Sequence, residues 1–221
     1  MSIKILFKQC MRGESLLRTF QNLDVAKFVK ITGKTLDLGA NKGTASYYSY
    51  LKKEQDSEFT FVDYYSNSKN ILKFDLNKPF PIDTLSYNNI LLFNVMDIIF
   101  NTKNLLSETY RILSKDGILY GSVPFLHKYY KDPVNYWRFT HEAIEILLNE
   151  AGFTKATIKT HGIGCFTAAI HQFSYLFSKI FILRPLLFIL WIGAIGLDKI
   201  LSKYWKTNKQ YYLGIFFVAK K

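Results

Sequence analysis

The sequence predicts an α/β fold built around a mostly parallel sheet, on three observations. Apolar runs of strand length alternate with segments of helical periodicity across most of the chain. The run NILLFNV, residues 89–95, has the apolar centre of a strand buried on both faces. The glycine-bearing stretch GANKG, residues 39–43, joins a predicted strand to a predicted helix.

Taken in order, residues 14–30 place Leu16, Leu17, Phe20, Leu23, Val25 and Phe28 mostly on one side of an amphipathic helix. Residues 34–38 form a first strand and 44–53 a helix. Strands two, three and four follow at 58–63 (EFTFVD), 71–74 (ILKF) and 89–95. Residues 102–113 form a helix, and Asp116-Gly117 turns it into the fifth strand, 118–123. A polar and aromatic loop, PFLHKYYKDPVNYWRFT, leads to a helix at 140–151, with Thr140 as N-cap and Gly152 as its stop. The sixth strand is 153–160 and the seventh 211–219. Between them lies an apolar, basic, helical insertion, 164–209. With no internal repeat or linker, residues 1–221 read as one domain carrying that insertion.

Composition narrows the class. The chain has 221 residues, enough for one domain with a full core, and 49% of them are apolar, which argues against disorder. Cys10 and Cys165 stand far apart and in no metal-ligand spacing, so neither a disulfide framework nor a metal site is expected. The N-terminal MSIKILFKQCMRGES has no signal-peptide pattern, and a cytoplasmic location is the expectation.

The net charge of +12 is unevenly placed: from Gly164 onward there are eight Lys and Arg against one acid, Asp198. The same region holds IFILRPLLFILWIGAIGL, residues 180–197. Basic and apolar together fit an anionic membrane surface met through residues 180–209. A dimer interface or a lid over an apolar acceptor fits the insertion as well. A nucleic-acid partner is not expected, because no reader motif is present. Pro185 to Leu197 is thirteen uncharged residues, against the roughly 20 that a bilayer span needs. The expectation is therefore an interfacial or re-entrant helical pair, with Trp191 and Trp205 at the interface and Lys199, Lys203, Lys206 and Lys209 toward headgroups.

The turn TLDLGANKG, residues 35–43, reads either as a tight strand-to-helix connection or as a loop that holds a ligand. Asp63 ends the second strand, where a carboxylate can accept the hydroxyls of a ribose. Asp75 follows the third strand, within reach of an adenine amine. The dinucleotide fingerprint GxGxxG is absent, which counts against a nicotinamide cofactor. The D-x-G-x-x-x-G form with acids after strands two and three resembles the class I S-adenosylmethionine-dependent methyltransferases. Asn41 stands where that family often has its middle glycine. NVMDIIFNTKNLLSETYRILSKDGILYGSVPF, residues 94–125, is similar to the type 11 methyltransferase pattern, with Asp97-Ile98 where many members have Glu-His. The resemblance covers roughly residues 34–153. The loop VPFLHKYYKDPVNYWRFT and the insertion look like a subset often associated with surface-polysaccharide or lipid-linked glycan synthesis.

The resemblance implies a Rossmann-like fold of seven strands, the last antiparallel, and S-adenosyl-L-methionine as cofactor. Asp37 would orient the loop or receive the methionine amine; it also reads as a turn-stabilising carboxylate. Gly39, Ala40, Asn41 and Gly43 would let the backbone pass beneath the cofactor. Asp63 would take the ribose, Tyr64 stack on adenine, and Asp75 and Leu76 flank the base; Asp75 also suits a turn. Asn94 and Val95 would lie beside the sulfonium. On the acceptor side, His127 reads as a general base, and Asp97, Tyr129, Tyr136 and Arg138 as acceptor contacts. The other reading packs Tyr136, Trp137 and Phe139 on the sheet and pairs Arg138 with a carboxylate. His161 and His171 read as structural. The implied function is O-methylation of a glycan or lipid-linked saccharide at a membrane face. A methyltransferase of a lipophilic small molecule and a non-catalytic scaffold are the alternatives.

Overall fold

The computed structural model describes residues 3–40, 43–66, 68, 71–131, 134–205 and 210–221. In chain order the elements are α1 (Ile3–Met11), α2 (Leu16–Phe28), β1 (Lys30–Ile31), β2 (Lys34–Leu38), β3 (Lys52–Lys53), β4 (Glu58–Val62), β5 (Ile71–Leu72), β6 (Tyr87–Phe93), α3 (Thr102–Ile112), β7 (Leu113–Pro124), α4 (His141–Glu150), β8 (Lys155–His161), α5 (Cys165–Phe177), α6 (Arg184–Trp205) and β9 (Gly214–Lys220). Seven strands form one sheet in the order β5-β4-β2-β6-β7-β9-β8, in which β9 alone runs antiparallel to its neighbours. β1 and β3 pair separately. The expected seven-stranded Rossmann-like sheet, with its antiparallel last strand and its insertion before that strand, is the observed one.

The two faces of the sheet follow from the two-residue period of a strand. Ile90 and Leu92 pack with Leu105 and Leu106 of α3 and Ile144 and Leu148 of α4. Leu91 and Phe93 point the other way, toward Val25 of α2, Tyr47 and Phe216. Chain order reverses between β2 and β6, and there the strand ends open a crevice of the kind that holds ligands in such sheets. In α3, Glu108 and Arg111 pair and clasp the connection before β6. Glu108 accepts from the Phe80 amide at 2.6 Å, and Arg111 donates to the carbonyls of Phe80 and Ile82. That clasp gives the Glu and Arg of the type 11-like pattern a structural role.

Four expectations need correction. The helix expected at 44–53 is a short 3-10 turn, Ser46–Tyr50, followed by β3. Tyr and Ser are indifferent helix formers, and the hydroxyls of Tyr47 and Tyr48 are drawn inward to Asp37. The fifth strand begins at Leu113, with Asp116 (φ 64°) a left-handed kink inside it and not its start. The helix α1 was not expected; its buried residues Leu6 and Cys10 gain meaning only against Trp191, Leu187 and Ile195 of α6. Trp191 is fully buried and donates from Nε1 to Ser174 Oγ at 3.0 Å, so it pins α6 to α5 and does not lie at an interface. Lys206, Lys209 and the side chain of Trp205 lie outside the described residues.

The insertion is a helical hairpin whose one acid serves its fold. Gly164 supplies no side chain to cap α5. Asp198 of α6 takes that place, accepting from the amides of Phe166 at 3.1 Å and Thr167 at 2.6 Å. Replacing Asp198 with alanine leaves two buried donors unpaired, and about 2–3 kcal/mol of stability is the expected loss. Urea denaturation measures it; an unchanged midpoint would show the cap to be dispensable. His161 is structural as expected: with Lys159 of β8 it holds Asp24 of α2, its Nδ1 lying 3.0 Å from the carboxylate.

Candidate functional site

A cavity of about 730 Å³ opens at the crevice between β2 and β6, within the range of small-molecule sites. Its lining brings together seven of the residues expected to hold a cofactor: Gly39, Asp63, Tyr64, Asp75, Leu76, Asn94 and Val95. Each sits at the carboxyl end of a strand or just beyond it, because parallel strands deliver all their following loops to one edge. Gly39 has φ 78°, and a Cβ placed there would stand 2.5 Å from Val95 Cγ2. No residue with a side chain fits that floor without displacing Val95. Asn94 also has positive φ, 57°. It is held by its amide to the Ser122 carbonyl, by Ser122 Oγ, and by its own Nδ2 donating to Gln21 Oε1 at 2.8 Å.

The acids differ in environment. Asp63 Oδ1 accepts from the Tyr65 amide at 2.9 Å, which fixes the carboxylate at the cavity edge. Asp75 both lines the cavity and makes a turn: its Oδ1 accepts from the Asn77 amide, which holds its carboxyl below the usual range. The exposed Tyr64 and Tyr65 rings meet edge to face, 5.2 Å apart, at the cavity mouth.

Asp37 is elsewhere. It is fully buried, outside the lining, and receives the hydroxyls of Tyr47, at 2.6 Å, and Tyr48 on Oδ2, while Oδ1 has no partner among the described residues. Burial pushes its carboxyl up to about 7, against the pull of the two tyrosine hydroxyls. Asp37 was expected to orient the loop, to receive the methionine amine or to stabilise the turn; in the structure it binds the hydroxyls of Tyr47 and Tyr48 in the following turn and does not face the cavity. Ala40 is also buried and outside the lining; its amide and that of Gly39 are both engaged by the Val62 carbonyl. Gly43 has φ 68° and packs toward Phe61, away from the cavity. Asn41 lies outside the described residues.

A second pocket of about 340 Å³ shares Asn94, Ile98 and Tyr130 with the first, so the two adjoin. It gathers His127, Asp97, Gln21, Arg18, Ser15 and Lys128. His127 Nδ1 lies 2.8 Å from the Lys128 carbonyl, an arrangement that places the ring proton on Nδ1 and leaves the Nε2 lone pair free. Burial lowers the His127 pKa, which keeps the imidazole neutral. Its ring meets Tyr175 of α5 edge-on at 5.5 Å, and Tyr175 in turn bonds the buried His171 at 3.0 Å. Asp97 is buried, and desolvation raises its pKa; Oδ2 accepts from Asn135 at 2.9 Å, and Oδ1 has no partner among the described residues.

Three expected acceptor contacts, Tyr129, Tyr136 and Arg138, are not brought to this pocket. Tyr129 is 69% exposed and lines neither cavity, and Arg138 turns to the carbonyls of Trp137 and Lys128. Tyr136 lines the larger cavity, its amide held by the Asp97 carbonyl, and stacks edge-on against Phe100. Sequence reasoning missed Gln21, Arg18 and Ser15. Gln21 is fully buried on a helix read only for its apolar face, and its Nε2 has no partner among the described residues. A glutamine among the apolar positions of α2 was the available signal.

Comparison with family models and with curated proteins yields no match. Among solved structures, a phosphoethanolamine N-methyltransferase 2 of Haemonchus contortus in complex with S-adenosyl-L-methionine is similar over 91% of this chain, at 17% identity and TM-score 0.54. This chain spans 52% of that protein's length. A SAM-dependent methyltransferase from Archaeoglobus fulgidus is similar over 98% of both chains, at 14% identity and TM-score 0.58. The [4+2]-cyclase SpnF is similar over 92% of this chain and 81% of its own, at 13% identity and TM-score 0.59. Identities this low speak for the fold alone, and the cyclase shows that the fold also hosts other chemistry. The chain has the fold of the class I S-adenosylmethionine-dependent methyltransferases.

Proposed function

We propose that the protein is an S-adenosylmethionine-dependent methyltransferase acting on a hydroxyl oxygen of a glycan or lipid-linked saccharide. One observation carries this reading. The strand-end cavity lined by Gly39, Asp63, Asp75 and Asn94 adjoins a second pocket that holds a neutral imidazole and two unpartnered buried polar atoms. Asp97 Oδ1 is an acceptor and Gln21 Nε2 a donor, a pair matched to a hydroxyl, which both donates and accepts. A purely lipophilic acceptor would leave both unsatisfied at a cost of about 1–3 kcal/mol each.

The cofactor supplies an electrophilic methyl group on a sulfonium, and its departure leaves a neutral thioether. The chain supplies position and proton management. Asp63 binds the ribose hydroxyls, Tyr64 and Tyr65 cover the adenine, and Asp75 with Leu76 flanks it. Asp97 and Gln21 orient the acceptor hydroxyl toward the shared wall at Asn94 and Ile98. His127 Nε2 would take the proton of the acceptor hydroxyl. Alignment in a site shielded from water provides most of the acceleration, because displacement at a sulfonium needs little covalent help.

A second reading, a non-catalytic protein on the same fold, is favoured by one feature. The loop after β2 leads into a 3-10 turn, so it offers no α-helix N-terminus to a ligand. Calorimetric titration of the purified protein with S-adenosylmethionine and with NAD decides between them. Micromolar binding of the first alone is expected; folded protein that binds neither would leave the non-catalytic reading standing.

A further inference from the structure

We propose that α1, α5 and α6 together form a docking surface for an anionic lipid bilayer. The hairpin is apolar on both sides. One side of α6, with Leu187, Trp191 and Ile195, is buried with Leu6 of α1 and Leu16, Leu17 and Leu213 of the body. The other side carries Leu186, Ile189, Leu190, Leu197 and Ile200, all exposed and spaced as one helical stripe. In α5, Phe173 and Leu176 stand exposed at the same helical spacing. The turn between the helices projects Phe181 and Ile182, 71% and 82% exposed. α1 flanks α6 through the Phe7–Phe188 ring contact, 5.2 Å between centroids, and adds the exposed Ile3. Exposed apolar side chains gathered on helices that share one buried cluster mark an interaction site.

Charge selects the occupant. Lys4, Lys8, Lys179, Lys199 and Lys203 are exposed on these helices and the turn between them. The one acid of the insertion, Asp198, is buried beneath as the cap of α5. A second copy would set the same lysines against each other on chains of net charge +12. Lipid phosphates complement them. The segment Phe181–Tyr204 is long and apolar enough to cross a membrane, and 28% of its apolar window is buried. Crossing would strip Trp191 and Asp198 from the core, so the helix lies along the surface with its exposed stripe among the acyl chains. Tyr175 of α5 touches His127, which places the second pocket next to this surface. Docking through this surface does not depend on methyl transfer.

Sedimentation of the full chain with vesicles tests it. Binding to phosphatidylcholine–phosphatidylglycerol vesicles is expected, with weaker binding to phosphatidylcholine alone and loss of the difference in high salt. Ile182→Glu/Ile189→Glu alters only exposed positions and is expected to weaken binding roughly 100-fold or more. Lys199→Gln/Lys203→Gln is expected to weaken binding to the anionic vesicles roughly 30-fold, with less effect on neutral ones. Thermal unfolding checks that both variants stay folded. No sedimentation, no preference for anionic lipid, or indifference to the Ile182/Ile189 pair would each overturn the proposal. A soluble dimer in light scattering that the same pair dissolves would assign the face to a second copy instead.

Discussion

Asp63→Ala is expected to lower the affinity for S-adenosylmethionine by at least about a hundredfold in calorimetric titration, with the fold intact. The carboxylate stands at the end of β4 with Oδ1 fixed by the Tyr65 amide, at the rim of the larger cavity. A charged acceptor that binds two hydroxyls contributes about 1.5–3 kcal/mol for each bond. Asp63→Asn keeps the shape and one acceptor oxygen, and is expected to fall between the two. Because Asp63 lies outside the packed core, thermal unfolding should move little. Wild-type affinity in Asp63→Ala would sink the assignment of this cavity to the cofactor.

The second large effect is on stability and has a defined pH sign. Burial places the Asp37 carboxyl at about 7 in the folded protein. In the unfolded chain an aspartate titrates near 3.9. Between those values the folded form holds a proton that the unfolded form has lost, so this group's contribution weakens as pH rises through the window. The slope is about 1.4 kcal/mol per pH unit, and the whole change up to about 4 kcal/mol. Asp37→Asn removes the titration and should be the more stable protein at pH 8, with the advantage shrinking toward pH 4. Glu108, held low by Arg111, and Asp75, held low by the Asn77 amide, act with the opposite sign. The difference between wild type and variant cancels them. Denaturant titrations across pH 4–8 measure the difference curve; a flat one would mean that Asp37 is ionised throughout.

The sheet was legible because each strand announces itself locally. Ile90 to Phe93 is apolar without interruption, as burial on both faces requires, and Asp63, Asp75 and Asn94 follow strands whose order set them on one edge. The segment after Gly43 misled for a long-range reason. Tyr47 and Tyr48 stack on each other at 4.7 Å and reach Asp37, which turns that carboxylate inward and replaces a helix with a tighter turn. No local pattern reports such a contact. The acceptor pocket divided along the same line. His127 and Asp97 stood out by chemistry, whereas Gln21 depended on α2 packing over the end of β6. Arg138 looked available in the sequence and is occupied by nearby carbonyls in the structure.

By itself, then, the sequence determined the order of the seven strands of the main sheet, the strand-end residues of the larger cavity, and the basic, apolar character of the insertion, all of which follow from residue periodicity and type. Only the tertiary structure decided which carboxylates face a cavity and which are buried, that Trp191 is core, and that α1 joins the insertion on one exposed face. Those outcomes depend on packing partners distant in the chain, and burial is a property of the assembled fold and not of any single segment.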